Sequence, residues 1–173
     1  MTRIIFFALV ILFYISGCVI APAVRPVIRD TISIRAPFNK VWIASLDILL
    51  NQTIETKEKE TGLIQTGFKT IQGLLAGGTI KQIAVEPKGL FYTWGAVRYK
   101  LSIKFIKETE DSTRVQVNTF IEAFESNITG VWMICYSNGH FENQFIEGLQ
   151  AAFPDPDIRP DTPGNTTPGR EQE

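Results

Sequence analysis

Residues 96–105 have the sequence AVRYKLSIKF, in which apolar and polar side chains alternate. A period of two is typical of a β-strand with one buried face. The positions expected to face the core are Ala96, Tyr99, Leu101, Ile103 and Phe105, with a shift of parity near Val97. The opposite positions are Arg98, Lys100, Ser102 and Lys104. After a polar turn at 108–112, the alternation resumes at Val115, Val117, Thr119, Ile121 and Ala123. The two stretches predict a long antiparallel hairpin with one face in the core.

The segment before the hairpin predicts further strands and a helix. Residues 31–35 alternate as a short strand, and Pro37 is suited to the first position of a helix. The apolar stripe of this helix consists of Phe38, Trp42, Leu46, Leu49 and Leu50. Residues 51–59 and 63–68 then predict two strands, joined by a turn at Thr61-Gly62.

Residues 71–90 have no regular pattern. Gly73, Gly77 and Gly78 predict a flexible loop, and residues 79–85 are a candidate short strand. The glycines do not form a phosphate-binding loop, because no lysine precedes the hydroxyl of Thr79.

A second helix is predicted after the hairpin. Ser137-Asn138-Gly139 supplies candidate capping residues, and Glu142 lies in the first turn. The apolar face of this helix consists of Phe141, Phe145, Leu149, Ala152 and Phe153, and it ends at Pro154. The order is therefore strand, helix, three to five antiparallel strands and helix. We predict an α+β two-layer sandwich, in which two helices cover one face of a mainly antiparallel sheet.

The first residues have the pattern of an export signal. Arg3 precedes an unbroken apolar run at 4–15, which is about 18 Å long as a helix and too short for a bilayer core of about 30 Å. Residues 15–18, Ile-Ser-Gly-Cys, resemble a bacterial lipobox. This resemblance implies a signal peptide over 1–17, diacylglycerol on the sulfur of Cys18, and acylation such as palmitate on its amine. Val19 follows Cys18, which by analogy with the sorting rule of enteric bacteria implies the periplasmic face of the outer membrane.

The two ends of the mature chain differ in composition from its middle. Residues 18–29 contain prolines and no helical period, which predicts a lipidated tether. Residues 154–173 are rich in proline and poor in aliphatic side chains, which predicts a disordered tail. The folded domain is therefore placed at 30–153.

Three segments of this domain resemble periplasmic lipoprotein domains of the BamC type. They are residues 36–42 (APFNKVW), 61–66 (TGLIQT) and 137–142 (SNGHFE). The resemblance covers the domain once and implies a helix-grip-like α/β fold that acts through protein contacts and without enzymatic activity. The proline, phenylalanine and valine-tryptophan pattern of 36–42 also occurs in START-like ligand-binding domains, so both kinds of function stay open.

The residues offer no recognisable set for catalysis, metals or cofactors. The chain has 17 basic and 18 acidic residues, a balance that does not favour nucleic acid. His140 is the only histidine, and a Ser137–His140 couple has no evident third member. Cys135 lies in an apolar stretch that predicts a buried, inert thiol. The acidic clusters are Glu55, Glu58 and Glu60, and Glu108, Glu110 and Asp111, which we expect to be solvated.

Aromatic residues provide the remaining candidate site. The predicted contact patch consists of Phe91, Tyr92, Trp94, Phe120, Phe124 and Trp132. We expect a lipid-anchored binding or scaffold module that contacts an envelope protein. The alternative is a small carrier that binds an apolar ligand between helix and sheet. A hydrolase is the least favoured interpretation.

Overall fold

The computed structural model describes residues 28–87 and 92–154. The predicted signal peptide, Cys18, the tether as far as residue 27, Phe91 and the tail from residue 155 lie outside these ranges. The elements in chain order are β1 (Thr31–Ile34), α1 (Phe38–Ile48), β2 (Ile54–Glu58), β3 (Leu63–Thr66), β4 (Lys69–Gln72), α2 (Leu74–Ile83), β5 (Ala84–Val85), β6 (Trp94–Lys107), β7 (Thr113–Glu125), β8 (Trp132–Ser137) and α3 (His140–Ala152).

The predicted hairpin is the centre of the sheet. Strands β6 and β7 pair antiparallel along their whole length. Strands β3 and β4 pair in succession with the other edge of β6, while β1 and β8 pair with β7. The outermost strands are β2 against β3 and β5 against β8. The result is an open, mostly antiparallel sheet of eight strands with three helices among the described residues, which confirms the α+β class.

Aromatic contacts join the helices to the core side of β6. The ring of Trp42 in α1 meets that of Phe105 edge-on, with centroids 5.2 Å apart. The ring of Phe141 in α3 stacks on that of Tyr99 at 4.1 Å. Because Tyr99 and Phe105 have the same parity along β6, both helices contact the same side of this strand. The predicted apolar stripes of these two helices therefore do form core or pack against it, with two exceptions: Leu50 lies beyond the end of α1 and is 77% exposed, and Ala152 at the end of α3 is exposed.

The parity shift in β6 lies one step earlier than predicted. The pairing with β7 is irregular between Trp94 and Ala96. Val97 consequently lies opposite Ala123 in the core, whereas Ala96 lies opposite Phe124 on the other face. The expectation that Ala96 faces the core together with Tyr99 was wrong: Ala96 follows the irregularity and keeps the regular alternation of β6, so it is buried on the opposite face, and the bulge reverses only Trp94 before it.

Residues 74–83 form a helix where a flexible loop and a strand were expected. The buried residues of α2 are Ala76, Ile80 and Ile83, whose spacing is helical. A Cβ at Gly77 or Gly78 would meet nothing within 4 Å, so these glycines lie on the open side of the helix. Each glycine costs about 1 kcal/mol of helix stability, which burial of the opposite face offsets. The third helix thus interrupts the predicted order of elements.

Other predictions need smaller corrections. The strand expected over 63–68 ends at Thr66 as β3, and a further strand, β4, begins at Lys69 after Gly67 and Phe68. Pro37 precedes α1 as its N-cap residue and is not its first residue. The turn at Gly62 is confirmed: its φ is +66°, and a Cβ there would lie 2.3 Å from the carbonyl oxygen of Phe105. Glycine is therefore required at this position.

Candidate functional site

On one side of the sheet, aromatic rings of α1 and α3 contact β6. The other side carries a group of aromatic and cationic side chains. We call this group the aromatic face, and it consists of Phe68, Arg98, Phe120, Phe124 and Trp132. The pairing of strands explains how they meet. Arg98 of β6 lies opposite Glu122 of β7, and in the neighbouring row Phe124 lies opposite Trp132 of β8. Side chains in adjacent rows of one face are within reach of each other when they are long or aromatic.

Arg98 is at the centre of the aromatic face. Its guanidinium carbon lies 4.7 Å from the ring centroid of Phe68 and 4.2 Å from that of Trp132. Its Nε donates a hydrogen bond of 2.5 Å to Oε2 of Glu122. The carboxylate orients the guanidinium, and the two rings interact with its positive charge through their π-electrons. One cation therefore links aromatic residues from opposite sides of β6.

The rings of the aromatic face also pair with each other. Phe68 meets Phe120 edge-on at 6.0 Å, and Phe124 meets Trp132 at 5.5 Å. Between 36% and 39% of the surface of Phe68, Phe120 and Trp132 is exposed. The ammonium of Lys100 adds a second cation, 5.0 Å from the Phe68 centroid. An ordered apolar and cationic surface is thus open to solvent, which is unusual for an aromatic cluster.

Only part of the predicted contact patch belongs to this surface. Phe120, Phe124 and Trp132 do. Trp94 is buried, and its Nε1 donates a hydrogen bond of 2.8 Å to Oε1 of Glu86. Tyr92 packs against the Trp94 ring at 5.6 Å and borders the core. Trp94 therefore does not belong to an exposed contact patch, because the sequence pattern does not distinguish an aromatic ring at the end of a strand from one inside the core, whereas Tyr92 is half-buried and lies apart from the aromatic face.

Two members of the aromatic face were missed. Phe68 follows the interruption at Gly67, so strand parity could not place it. Arg98 was assigned to the polar side of β6, but its contacts with two rings depend on strands that are distant in sequence. The only available signal was the position of Arg98 on the same side as Phe120 of the following strand.

A buried carboxylate organises the loop between β7 and β8. The side chain of Glu125 accepts hydrogen bonds from the backbone N–H groups of Asn127, Ile128 and Thr129, at 2.7, 2.8 and 2.6 Å. It also accepts one from the N–H of Thr93 at 3.3 Å. Burial acts to raise the pKa of Glu125, but the hydrogen bonds from Thr129, Asn127, Ile128 and Thr93 outweigh it and lower the pKa to about 2. The carboxylate is therefore ionised under ordinary conditions and fixes the loop.

A second buried carboxylate joins α3 to the sheet. Oε1 of Glu142 accepts a hydrogen bond from the N–H of Thr119 at 3.1 Å, and Oε2 accepts one from the hydroxyl of Ser137 at 2.8 Å. The Ser137 oxygen in turn accepts a hydrogen bond from the N–H of Gly139, which is the N-cap residue. Ser137 does not cap the helix, since its hydroxyl donates to Glu142. The capping candidate that does bond to α3 is Asn138, whose Oδ1 accepts the N–H of His140, the first residue of the helix, at 3.1 Å.

In the described part of the chain, the remaining candidate residues form no recognisable catalytic or metal-binding arrangement. Cys135 is buried as predicted, and burial raises the pKa of its thiol to about 11. His140 is exposed, and its ring meets that of Phe141 at 5.0 Å. Within 28–87 and 92–154, no group of three residues could hold a metal ion. Both acidic clusters are exposed, as expected.

A small recess lies between the end of α1, α3 and β6. Its volume is about 260 Å³. Its apolar lining consists of Ile48, Leu49, Leu101, Phe141 and Phe145. Further along α3, the side chains of Ile146 and Leu149 are fully buried in the core.

Comparison of the chain with models of protein families and with curated proteins gives no match. Among the described residues, no helix is long and apolar enough to cross a membrane.

Proposed function

We propose that this chain is a lipid-anchored, non-enzymatic binding module at the periplasmic side of the outer membrane. The lipid is attached to Cys18, residues 18–29 form a tether, and the aromatic face contacts an envelope protein. The architecture that we propose for the domain is the helix-grip-like, two-layer arrangement implied by its resemblance to BamC-type domains.

The observation that carries the proposal is the position of Arg98 between the exposed rings of Phe68 and Trp132. Aromatic residues and arginine are enriched among the residues that dominate the binding energy of protein interfaces, and aromatic rings bury much surface with little loss of side-chain freedom. The contact with Glu122 holds Arg98 in place before binding, which reduces the entropy that binding has to overcome. The aromatic face is more polar than a stretch of hydrophobic core and more apolar than an ordinary solvated surface.

Site-specific photocrosslinking tests the contact in cells. A photoreactive amino acid at Phe120 is expected to give a reproducible crosslink to one envelope protein. The matched control is Ile43, an exposed aliphatic residue of α1 that lies outside the aromatic face. Crosslinks of equal yield and identity from both positions, or none from Phe120, would contradict the proposed contact.

The anchor has its own test. Mass spectrometry of the mature protein is expected to find a diacylglyceryl and acyl group on an N-terminal Cys18. An unmodified Cys18, or a chain that retains Met1, would exclude the lipid anchor without bearing on the aromatic face.

The alternative function is a carrier for an apolar ligand, and the recess beside Leu101 and Phe141 favours it to some extent. Its volume of about 260 Å³ is below the range of roughly 300–1,000 Å³ that is usual for small-molecule sites. A larger recess of about 420 Å³ beside Gly73 and Trp132 is open to solvent and is not enclosed by α1 or α3, so the carrier ranks second. Native mass spectrometry of protein purified from membranes distinguishes the two functions, because a carrier is expected to retain an apolar molecule.

A further inference from the structure

The first turn of α2 and the loop between β7 and β8, at the end of the sheet where β6 begins, present aliphatic side chains to solvent. We call their exposed residues, Leu74, Leu75, Ile128 and Val131, the apolar end. Leu74 and Leu75 open α2, whereas Ile128 and Val131 belong to the loop between β7 and β8. Their exposed fractions are 103%, 72%, 58% and 50%. Such values mean that these side chains contribute almost nothing to the core.

Residues 93–95 are hydrogen-bonded both to the residue before α2 and to the loop between β7 and β8. The N–H of Gly73 donates a hydrogen bond of 2.8 Å to the carbonyl of Gly95, and the N–H of Ser126 donates one of 2.9 Å to the carbonyl of Thr93. A recess of about 420 Å³, lined in part by Gly73, Gly95 and Trp132, lies between them. Leu74 and Ile128 therefore project from the same end of the molecule.

The two stretches that carry these side chains contain no charged residue, although Lys81 and Glu86 line the same recess as Leu74. Residues 73–80 are GLLAGGTI and residues 126–132 are SNITGVW. Exposed loops ordinarily carry charged side chains, and an apolar surface without them indicates an interaction. Trp132, at the border of the loop, has a ring with one polar edge, which suits the boundary between lipid headgroups and acyl chains.

Part of the backbone of the loop between β7 and β8 is already hydrogen-bonded within the protein. Glu125 accepts the N–H groups of Asn127, Ile128 and Thr129, and the N–H of Glu125 donates to the carbonyl of Val131 at 3.0 Å. Backbone groups that are already hydrogen-bonded lose little when water is removed, whereas unpaired ones lose several kcal/mol. The backbone groups in these bonds can therefore leave water at low cost.

We propose that the apolar end inserts into the surface of the bilayer to which the chain is anchored. The proposal rests on the lipid at Cys18, since that anchor keeps the domain close to the bilayer and makes a weak second contact effective. Ile28, the first described residue, lies against Gly139 just beyond β8, roughly 20 Å along that strand from Trp132. The segment from Cys18 to Ile28 reaches roughly 33 Å when extended, so it allows the anchor and the apolar end to meet one membrane.

Insertion would define the orientation of the domain relative to the membrane. The aromatic face begins at Trp132 and extends away from the apolar end along β6, β7 and β8. The aromatic face would therefore lie at the side of the domain, next to the membrane surface, and not between the domain and the membrane. This orientation suits an envelope partner that projects from the same bilayer.

Quenching of tryptophan fluorescence by brominated lipid tests the proposal on the full mature lipoprotein. The protein is reconstituted into phosphatidylethanolamine vesicles that contain lipid brominated near the headgroup end of the acyl chain. Leu74→Trp is the reporter. Leu50→Trp is the matched control, because Leu50 is exposed but lies outside the apolar end. Flotation of the vesicles measures retention by the anchor separately.

After subtraction of the quenching of the wild-type protein, which reports on Trp42, Trp94 and Trp132, we expect several-fold stronger quenching of the Leu74→Trp reporter than of Leu50→Trp. Adding Leu75→Ser and Ile128→Ser should reduce the docked population roughly tenfold or more, since each removes several apolar carbons from the bilayer. Equal quenching at both positions in floating vesicles would overturn the insertion but not the anchor. Protein that fails to float would overturn both. A reporter that is shielded in native membranes but unquenched in these protein-free vesicles would assign the apolar end to a protein partner instead.

Discussion

Glu125 and Thr129 are joined by two hydrogen bonds to one carboxylate oxygen: the backbone N–H of Thr129 donates at 2.6 Å and its hydroxyl at 3.0 Å. Together with the N–H groups of Asn127 and Ile128, these bonds make the loop between β7 and β8 depend on a single ionised side chain. The loop carries part of the apolar end and leads directly into Trp132. The order of both proposed contact surfaces therefore depends on the charge of Glu125.

The first prediction concerns the stability of this loop against acid. Because the pKa of Glu125 is lowered from 4.5 to about 2 in the folded chain, its contribution to stability is complete above pH 4.5 and is lost as the pH falls towards 2. Wild type should exceed Glu125→Gln in free energy of unfolding near neutral pH, and the difference should shrink across this window. Urea denaturation at several pH values measures it. Glu110→Gln, at an exposed turn, is the control, and a difference between wild type and Glu125→Gln that is independent of pH would contradict the assignment.

The second prediction compares two glycines. Gly78→Ala should stabilise the protein by about 0.5–1 kcal/mol, because alanine favours a helix and its Cβ meets nothing within 4 Å. Gly62→Ala should destabilise it by more than that, since its φ is +66° and its Cβ would lie 2.3 Å from the Phe105 oxygen. Thermal denaturation measures both. Loss of stability in Gly78→Ala would argue against α2.

The third prediction concerns thiols. Burial raises the pKa of Cys135 to about 11, so its thiolate is scarce and shielded at neutral pH. Alkylation of the native protein should be slower than that of the unfolded protein by orders of magnitude. If Cys18 carries lipid, the unfolded mature chain should expose one reactive thiol, and Cys135→Ser should expose none. Intact-mass measurement after alkylation counts the thiols, and two modified sites would contradict the lipid on Cys18.

The fourth prediction concerns Arg98. Arg98→Met should reduce the crosslink from Phe120 to its partner by roughly tenfold, because it removes a central interface cation. The free energy of unfolding should change by less than about 1 kcal/mol, since the ion pair with Glu122 is partly exposed. Lys57→Met, on the exposed side of β2, is the control for general loss of positive charge. An undiminished crosslink in Arg98→Met would remove Arg98 from the contact.

The hairpin and two of the helices could be predicted because their signals are local. Alternation along 96–105 and the helical stripes of α1 and α3 arise from single elements that bury one side. The helix at 74–83 was missed because Gly77 and Gly78 weighed against it, while the burial that offsets them comes from β6, which is distant in sequence. The same limit explains Ala96: the position of a bulge depends on the register with β7 and not on composition.

The sequence by itself determined the α+β class, the antiparallel hairpin and the buried state of Cys135, because period and composition set which side of an element avoids water. The tertiary structure alone decided which exposed residues meet. Arg98 contacts Phe68 and Trp132 only because β4 and β8 lie near β6 and β7. Gly73, which precedes Leu74, and Ser126, which opens the loop of Ile128, lie at one end of the sheet because both bond to residues 93–95. Surface contacts between distant segments leave no periodic pattern in the chain, since each residue is placed by the pairing of strands and not by its neighbours in sequence.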